Sequence, residues 1–397
     1  MDRIPSASWL LFTIAIAALG CDAGCLRQPP ATAKQDAGGD ASSGQPPDDL
    51  SQLLRPIRDR SGLPALAAAV SDADRLLALG AVGVRRRGDD TPVETTDLFH
   101  LGSCTKAMTA TVCARLVDAG QLSWQRTLAE IFPEQATSMH MEYRGVTIEQ
   151  LLQHRGGTCA ALATSHSDLW SALWTPGDVE AQRSAFAQAL LARPPEVTPG
   201  TEYRYSNAGY MVVGAALERL TGTSGESLMQ VQLFTPLAMG SCGFGAPGSA
   251  GQVDQPWGHR PGASGPEPVE PGPAADNPPA LGPAGTVHCS LEDWARFARA
   301  HLEITPGDDA YLSAGSLARM HTPPAGGDYA LGWLASPQPW AGGVALTHSG
   351  SNNLNFATVW VAPQTSRVML VATNLGGEEA RLAASEVVVA LIEQVLR

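Results

Sequence analysis

Ser103 and Lys106 stand three residues apart in "FHLGSCTKAMTATVCARLVDAG" (Phe99 to Gly120), a spacing that puts both side chains on one helix face, one turn from each other. A serine hydroxyl is a poor nucleophile until a base takes its proton. Lysine can be that base where burial or neighbouring charge lowers its pKa from about 10.4; arginine cannot, because it stays protonated. The chain draws this distinction itself. Of 26 basic residues only two, Lys34 and Lys106, are lysines, and Lys34 lies in a polar leader. A chain that writes its cations as arginine keeps lysine where a proton must come off. The start of the helix adds unpaired N–H groups and a dipole that favour developing negative charge.

S-x-x-K arises readily by chance, so its weight comes from two further motifs downstream. "PGTEYRYSNAGY" holds Tyr205, Ser206 and Asn207. A tyrosine hydroxyl beside Ser103 and Lys106 could relay protons to a leaving group and later activate water. Asn207 could hold the lysine and a substrate amide. The same residues also read as a turn tyrosine and, in Asn207, an N-cap for the next helix, and the two readings are compatible. In "ALTHSGSN", His348, Ser349 and Gly350 end a strand, where small residues let a substrate lie along the edge. The N–H groups of Ser103 and Ser351 could then form a two-donor oxyanion hole. Alone, His-Ser-Gly is more often a strand end than a site. Cys104 adjoins the nucleophile but points off the Ser103/Lys106 face.

The elements that must position these groups are set by periodicity. "LSQLLRPIRDR" reads as a short helix, and "LPALAAAVSD" and "RLLALGAVGVRRRG" as two strands. A helix over 103–119 has Met108, Val112 and Leu116 on one face and Gly120 at its C′ position. "VTIEQLLQHRGG" is a helix stopped by glycines, and "NAGYMVVGAALERLTG" is one ended by Gly222. Residues 245–285, crowded with Gly and Pro, read as irregular surface loop. "SLEDWARFARAHL" is a helix capped by Ser290 with Asp293 at N3. Strands "YALGWLAS", "GVALTHSG", "NFATVWVAP" and "RVMLVATN" precede a final amphipathic helix over 378–396. Strands at both ends with helices between predict an α+β fold, its antiparallel sheet built from both ends of the chain around a mostly helical middle.

With 397 residues and 44% hydrophobic content, the chain can bury a sizeable core. Its net charge of −13 and its single dense basic cluster, Arg85 to Arg87 at a hairpin tip, argue against a nucleic-acid partner. Residues 1–21 read as an export signal: Arg3, the apolar run Trp9 to Gly20, then Cys21, where the small preceding residues resemble a lipobox. Ala18 stands where leucine is usual, and cleavage by an ordinary signal peptidase is the competing reading. We expect lipidation of Cys21, a flexible tether over 22–49, a catalytic domain over 50–397, and a cell-envelope location. Seven cysteines include no C-x-x-C pair and no zinc-type Cys/His spacing, so no metal or other cofactor is expected. Disulfides are permitted outside the cytoplasm but not assigned.

Ser-Cys-Thr-Lys, then Tyr-Ser-Asn about 100 residues on, then His-Ser-Gly about 140 further, resembles the serine β-lactamase and D,D-peptidase superfamily, in particular its class C-like branch. "LLQHRGG" and "GPAGTVHCSLEDWARFA" are similar to supporting stretches of that family. The resemblance spans residues 50 to 397. It implies Ser103 as the acylated nucleophile, Lys106 and Tyr205 as the proton-transfer pair, and Asn207, His348, Ser349 and Gly350 as substrate contacts. It implies a small-molecule or peptide substrate: a β-lactam, a D-alanyl peptide or a small ester. Class C β-lactamases usually carry lysine at position 348, so His348 speaks against efficient β-lactam hydrolysis rather than against serine acylation. A sensor that acylates without turnover is the alternative. No G-x-S-x-G elbow or H-E-x-x-H motif points to another hydrolase class.

Overall fold

A computed structural model describes residues 49–302 and 310–395. The expected signal, the tether up to residue 48 and Cys21 lie outside the described residues.

The sequence places small and branched apolar residues at both ends of the domain, and these pair with each other. Strands β1 (Ala65–Ser71), β2 (Leu76–Gly83), β3 (Leu334–Gln338), β4 (Gly343–Ser351), β5 (Phe356–Ala362) and β6 (Arg367–Thr373) form one antiparallel sheet in the order β2-β1-β6-β5-β4-β3. β1 joins the two ends of the chain, with Ala67 opposite Ala81 on one side and Ala372 on the other. Every residue of β1 is buried, as its unbroken apolar run requires of a strand covered on both faces. Leu66, Ala68 and Val70 point to one face, which helices α1 (Ser51–Arg60) and α7 (Glu378–Val395) cover through Leu54, Ile57, Ala383, Val387 and Leu391. Ala65, Ala67 and Ala69 point to the other, where the larger core begins with Trp294 and Phe297 of α6 (Leu291–Arg299).

The middle of the chain packs around α2 (Thr105–Asp118), preceded by a 3-10 turn over Gly102–Cys104. Periodicity predicts one apolar face for α2, but the helix is buried on nearly every side, because the helical region encloses it. Its threonines find partners: Thr109 Oγ1 donates to the Pro283 carbonyl (2.7 Å), and Thr105 Oγ1 accepts from the Val287 N–H (3.2 Å). Around it lie α3 (Ile148–Leu152), α4 (Val179–Leu191) and α5 (Asn207–Thr221). α5 starts on a Ser206 cap and stops at Gly222 in the left-handed region.

Two expectations are corrected. The strand expected over 329–336 begins at Leu334: Gly332, at φ +77°, brings the chain so close to Lys106 and Ala107 that a Cβ there would meet backbone at under 3 Å. The stretch 245–285 is not wholly surface loop. Ala280 to Gly285 is buried against α2 and α5, with Gly214 packed directly on Pro283. Buried Arg183 of α4 holds this stretch, its Nε donating to the Ala280 carbonyl (3.1 Å) while its guanidinium pairs with Glu218 and Glu226. Cys242 and Cys289 form a disulfide; Cys104, Cys113 and Cys159 are free and buried.

Candidate active site

The turn carrying Ser103 is built from backbone contacts. The strand Phe99–His100 pairs with Val287–Cys289 and delivers the chain into Gly102, at φ +50°. A Cβ on Gly102 would lie 2.4 Å from the Ser351 nitrogen, and one on Gly350 would lie 2.5 Å from the Ser103 nitrogen. Only glycine permits this approach. It packs the Ser103 turn directly against Gly350 and Ser351 at the end of β4. His100 supports the turn: its Nδ1 accepts the Gly102 N–H (3.1 Å), and its Nε2 lies 2.6 Å from Asp276 Oδ1.

Lys106 is fully buried. Its Nζ donates to Asn207 Oδ1 (2.7 Å) and the Ala284 carbonyl (2.8 Å) and lies 3.0 Å from Ser103 Oγ. Burial holds the amine well below the ordinary lysine range. A neutral amine has two N–H donors and one lone pair. In that neutral form, with the donors taken by Asn207 and Ala284, the lone pair would face the Ser103 hydroxyl. From the other side Tyr205 donates its hydroxyl to Ser103 Oγ (2.7 Å), and Lys106 Nζ sits 4.8 Å from the centre of its ring. The structure thus brings Ser103, Lys106, Tyr205 and Asn207 into one cluster, from three elements.

His348 sits beside this cluster as an uncharged group. Its Nδ1 lies 2.7 Å from the Ser349 carbonyl and so carries the proton, leaving Nε2 to accept from the Tyr329 hydroxyl (2.9 Å). Burial, with Lys106 nearby, pushes its pKa down to about 3. Ser349 is exposed at the strand edge, its hydroxyl donating to Thr358 Oγ1 (3.0 Å). Cys104 is turned away from the site toward the His348 and Ala357 carbonyls, and burial raises its thiol far above the usual range. Among the described residues no group of three or more His, Cys, Asp or Glu could hold a metal ion, and no helix is long and apolar enough to cross a membrane.

Sequence reasoning missed the Ala284 carbonyl, Tyr329, and the pair His100 and Asp276. A backbone acceptor leaves no signature in residue types. Tyr329 reads as the first residue of a strand.

An antiparallel sheet joined from both chain ends, a helical insert, and a serine, lysine and tyrosine meeting where the two pack define a serine hydrolase of the β-lactamase/transpeptidase fold. Residues 50–393 match the family model described as Beta-lactamase, and the chain belongs to that family. Penicillin-binding protein 4 of Amycolatopsis lactamdurans is 32% identical over 332 residues, covering 81% of this chain and 83% of its own. An unguisins hydrolase of Aspergillus campestris is 27% identical over 78% of this chain, which spans 58% of that protein. The octameric penicillin-binding protein homologue of Pyrococcus abyssi superposes with a TM-score of 0.70 at 20% identity, over 87% of this chain and 77% of that one, and shares the fold.

Proposed function

We propose that this protein is an exported hydrolase that cleaves an ester or amide through an acyl-enzyme on Ser103. The observation that carries the reading is Ser103 Oγ held between the buried Lys106 amine at 3.0 Å and the Tyr205 hydroxyl at 2.7 Å. The substrate carbonyl enters the gap between the Ser103 and Ser351 N–H groups, which stabilise the oxyanion. Ser103 Oγ attacks the carbonyl carbon, and its proton passes to Lys106 Nζ. The tetrahedral intermediate collapses as Tyr205 protonates the departing alcohol or amine, and the lysinium restores the tyrosine proton. Water then repeats the cycle on the acyl-enzyme, with Tyr205 and Lys106 taking its proton and returning it to Ser103 Oγ. Asn207 holds the amine through Oδ1 and keeps its NH₂ for a substrate amide.

His348 favours an uncharged acyl donor, a small ester or neutral amide, over a β-lactam. A neutral imidazole whose two nitrogens already have partners offers no cation to a carboxylate. The relative named a penicillin-binding protein supports acylation by penicillin as a second reading, with slow release in place of turnover. A panel of p-nitrophenyl acetate, nitrocefin and a D-Ala-D-Ala peptide, run beside Ser103→Ala, separates the readings. The ester should turn over fastest, and Ser103→Ala should abolish all turnover. A stoichiometric burst with nitrocefin and no turnover of any substrate would identify a sensor. Export with a lipid on Cys21 rests on the leader sequence. Palmitate labelling lost in Cys21→Ala supports it, and an unlabelled mature protein starting elsewhere removes the anchor.

A further inference from the structure

His154 ends α3 in a conformation that costs a side-chain-bearing residue something. Its φ is +57°. The Arg155 N–H donates to the Gln150 carbonyl (2.7 Å) and the His154 N–H to the Leu151 carbonyl (3.1 Å), the paired closing bonds of a helix whose left-handed C′ residue is usually glycine. "LLQHRGG" offers glycines two and three residues later, yet a histidine occupies the strained position. An outlier kept against the local preference points to the side chain.

The imidazole is 2% exposed and packed among aromatic rings: Tyr205 at 4.3 Å between centres, Tyr329 at 4.7 Å and Tyr210 at 5.1 Å. Its Nδ1 accepts the Ser206 N–H (3.0 Å), and its own carbonyl accepts the Arg204 N–H (2.7 Å). One residue therefore grips the chain on both sides of Tyr205 and lays its ring against the tyrosine between. The next residues extend the grip, with Thr158 Oγ1 donating to Ser206 Oγ (2.9 Å) and Ser206 Oγ to the Cys159 carbonyl (2.6 Å). Because Nδ1 accepts from a backbone N–H, the proton sits on Nε2, a buried atom with no hydrogen-bond partner among the described residues.

We propose that His154 is a positioning residue: it fixes the backbone and ring of Tyr205 so that the phenol reaches Ser103 Oγ. It touches neither nucleophile nor substrate. It sets where the proton donor stands, and displacing such a group by about 1 Å costs on the order of a hundredfold in rate. The inference rests on the reading of Ser103 as the acylated nucleophile.

The left-handed backbone makes a clean test available. His154→Gly removes the side chain while supplying the residue the conformation prefers, so relief of backbone strain offsets part of the cost of the cavity and the unpaired Ser206 N–H, and the fold should hold with a lowered melting temperature. His154→Asn also tolerates that conformation, and its Oδ1 can accept the Ser206 N–H in place of Nδ1. Both are compared with wild type and Ser103→Ala in p-nitrophenyl acetate hydrolysis and in the rate of labelling by a fluorescent fluorophosphonate. We expect kcat to fall about 10- to 100-fold in His154→Gly with KM within about twofold, and His154→Asn to recover to within about fivefold of wild type. The acid limb of the rate profile should stay where it is, because the base is untouched. Glycine within twofold of wild type, or asparagine no better than glycine, overturns the inference. Ser103→Ala keeping full activity, or wild type reacting with neither reagent, overturns instead the acylation reading on which it stands.

Discussion

Replacing Lys106 tests the core of the mechanism, and its cage indicates what should happen. Lys106→Met keeps length and apolar stem and removes the amine. Ala284 O and Asn207 Oδ1 each lose a buried donor, at about 1 to 3 kcal/mol apiece, so the melting temperature should fall on the order of 5 °C while the protein stays folded. Acylation should fall by about 10² to 10⁴, or about 3 to 5 kcal/mol of barrier, because the amine that accepts the Ser103 proton is gone. Lys106→Arg carries a permanent charge into a buried site that disfavours charge on its lysine. It should melt below the methionine variant and acylate no faster. Stopped-flow release of p-nitrophenol in a single turnover gives the rates, with thermal melts alongside. Wild-type acylation should rise with pH through a lysine pKa held well below its usual range, since the base works only unprotonated. Either variant acylating within a few-fold of wild type, or a wild-type limb near pH 10, refutes the reasoning.

Gly350→Ala removes no chemical group, yet its Cβ would meet Leu101 O at 2.1 Å and Ser103 N at 2.5 Å; acylation should drop at least about a hundredfold with secondary structure kept by circular dichroism. His348→Lys should raise kcat/KM for nitrocefin relative to p-nitrophenyl acetate by about tenfold or more, and an unchanged ratio would remove His348 from substrate choice. The disulfide between Cys242 and Cys289 closes a 47-residue separation, so replacing both with alanine should cost up to about 4 kcal/mol, read by urea unfolding. Buried His259 and half-buried His321 have pKa values lowered to about 4. The unfolded chain takes up protons on them below about pH 6.5 while the folded one does not, so stability should fall with pH from 6.5 to 4 by up to about 1.4 kcal/mol per pH unit for each, followed by melts across that range.

The sheet was legible because β1, β5 and β6 carry residues that only strands covered by helices would bury, and α2, α5 and α6 because their caps and stops are local: Gly222, Ser290 and Gly120 act within a few residues of themselves, although the cap of α5 is Ser206, one residue before the expected Asn207. The nearness of Ser103, Lys106, Tyr205 and Asn207 was readable from the order of three motifs. What closes the site was not. Ala284 contributes a carbonyl that any residue would offer, and the Gly and Pro around it read as exposed loop until Arg183 is seen pinning the stretch from beneath. Tyr329 meets His348 across 19 residues because Gly332 turns the chain against α2, a contact no periodicity records. His154 acts through backbone partners some 50 residues away.

The place of β1 in the sheet also governs how the molecule can be made. Its inner neighbour β6 is synthesised about 300 residues later. Until then β1 presents a bare edge of small apolar residues, and the helical region stands between two halves of a sheet that has not closed. Pairings of such separation are slow to form, because loop closure is paid before the contact rewards it. A nascent chain of this protein therefore cannot finish its core in the order it is translated. The last strand to emerge is the one that completes the first, and a polypeptide stopped short of Val368 leaves β1 unpaired on that side however well its helices have formed.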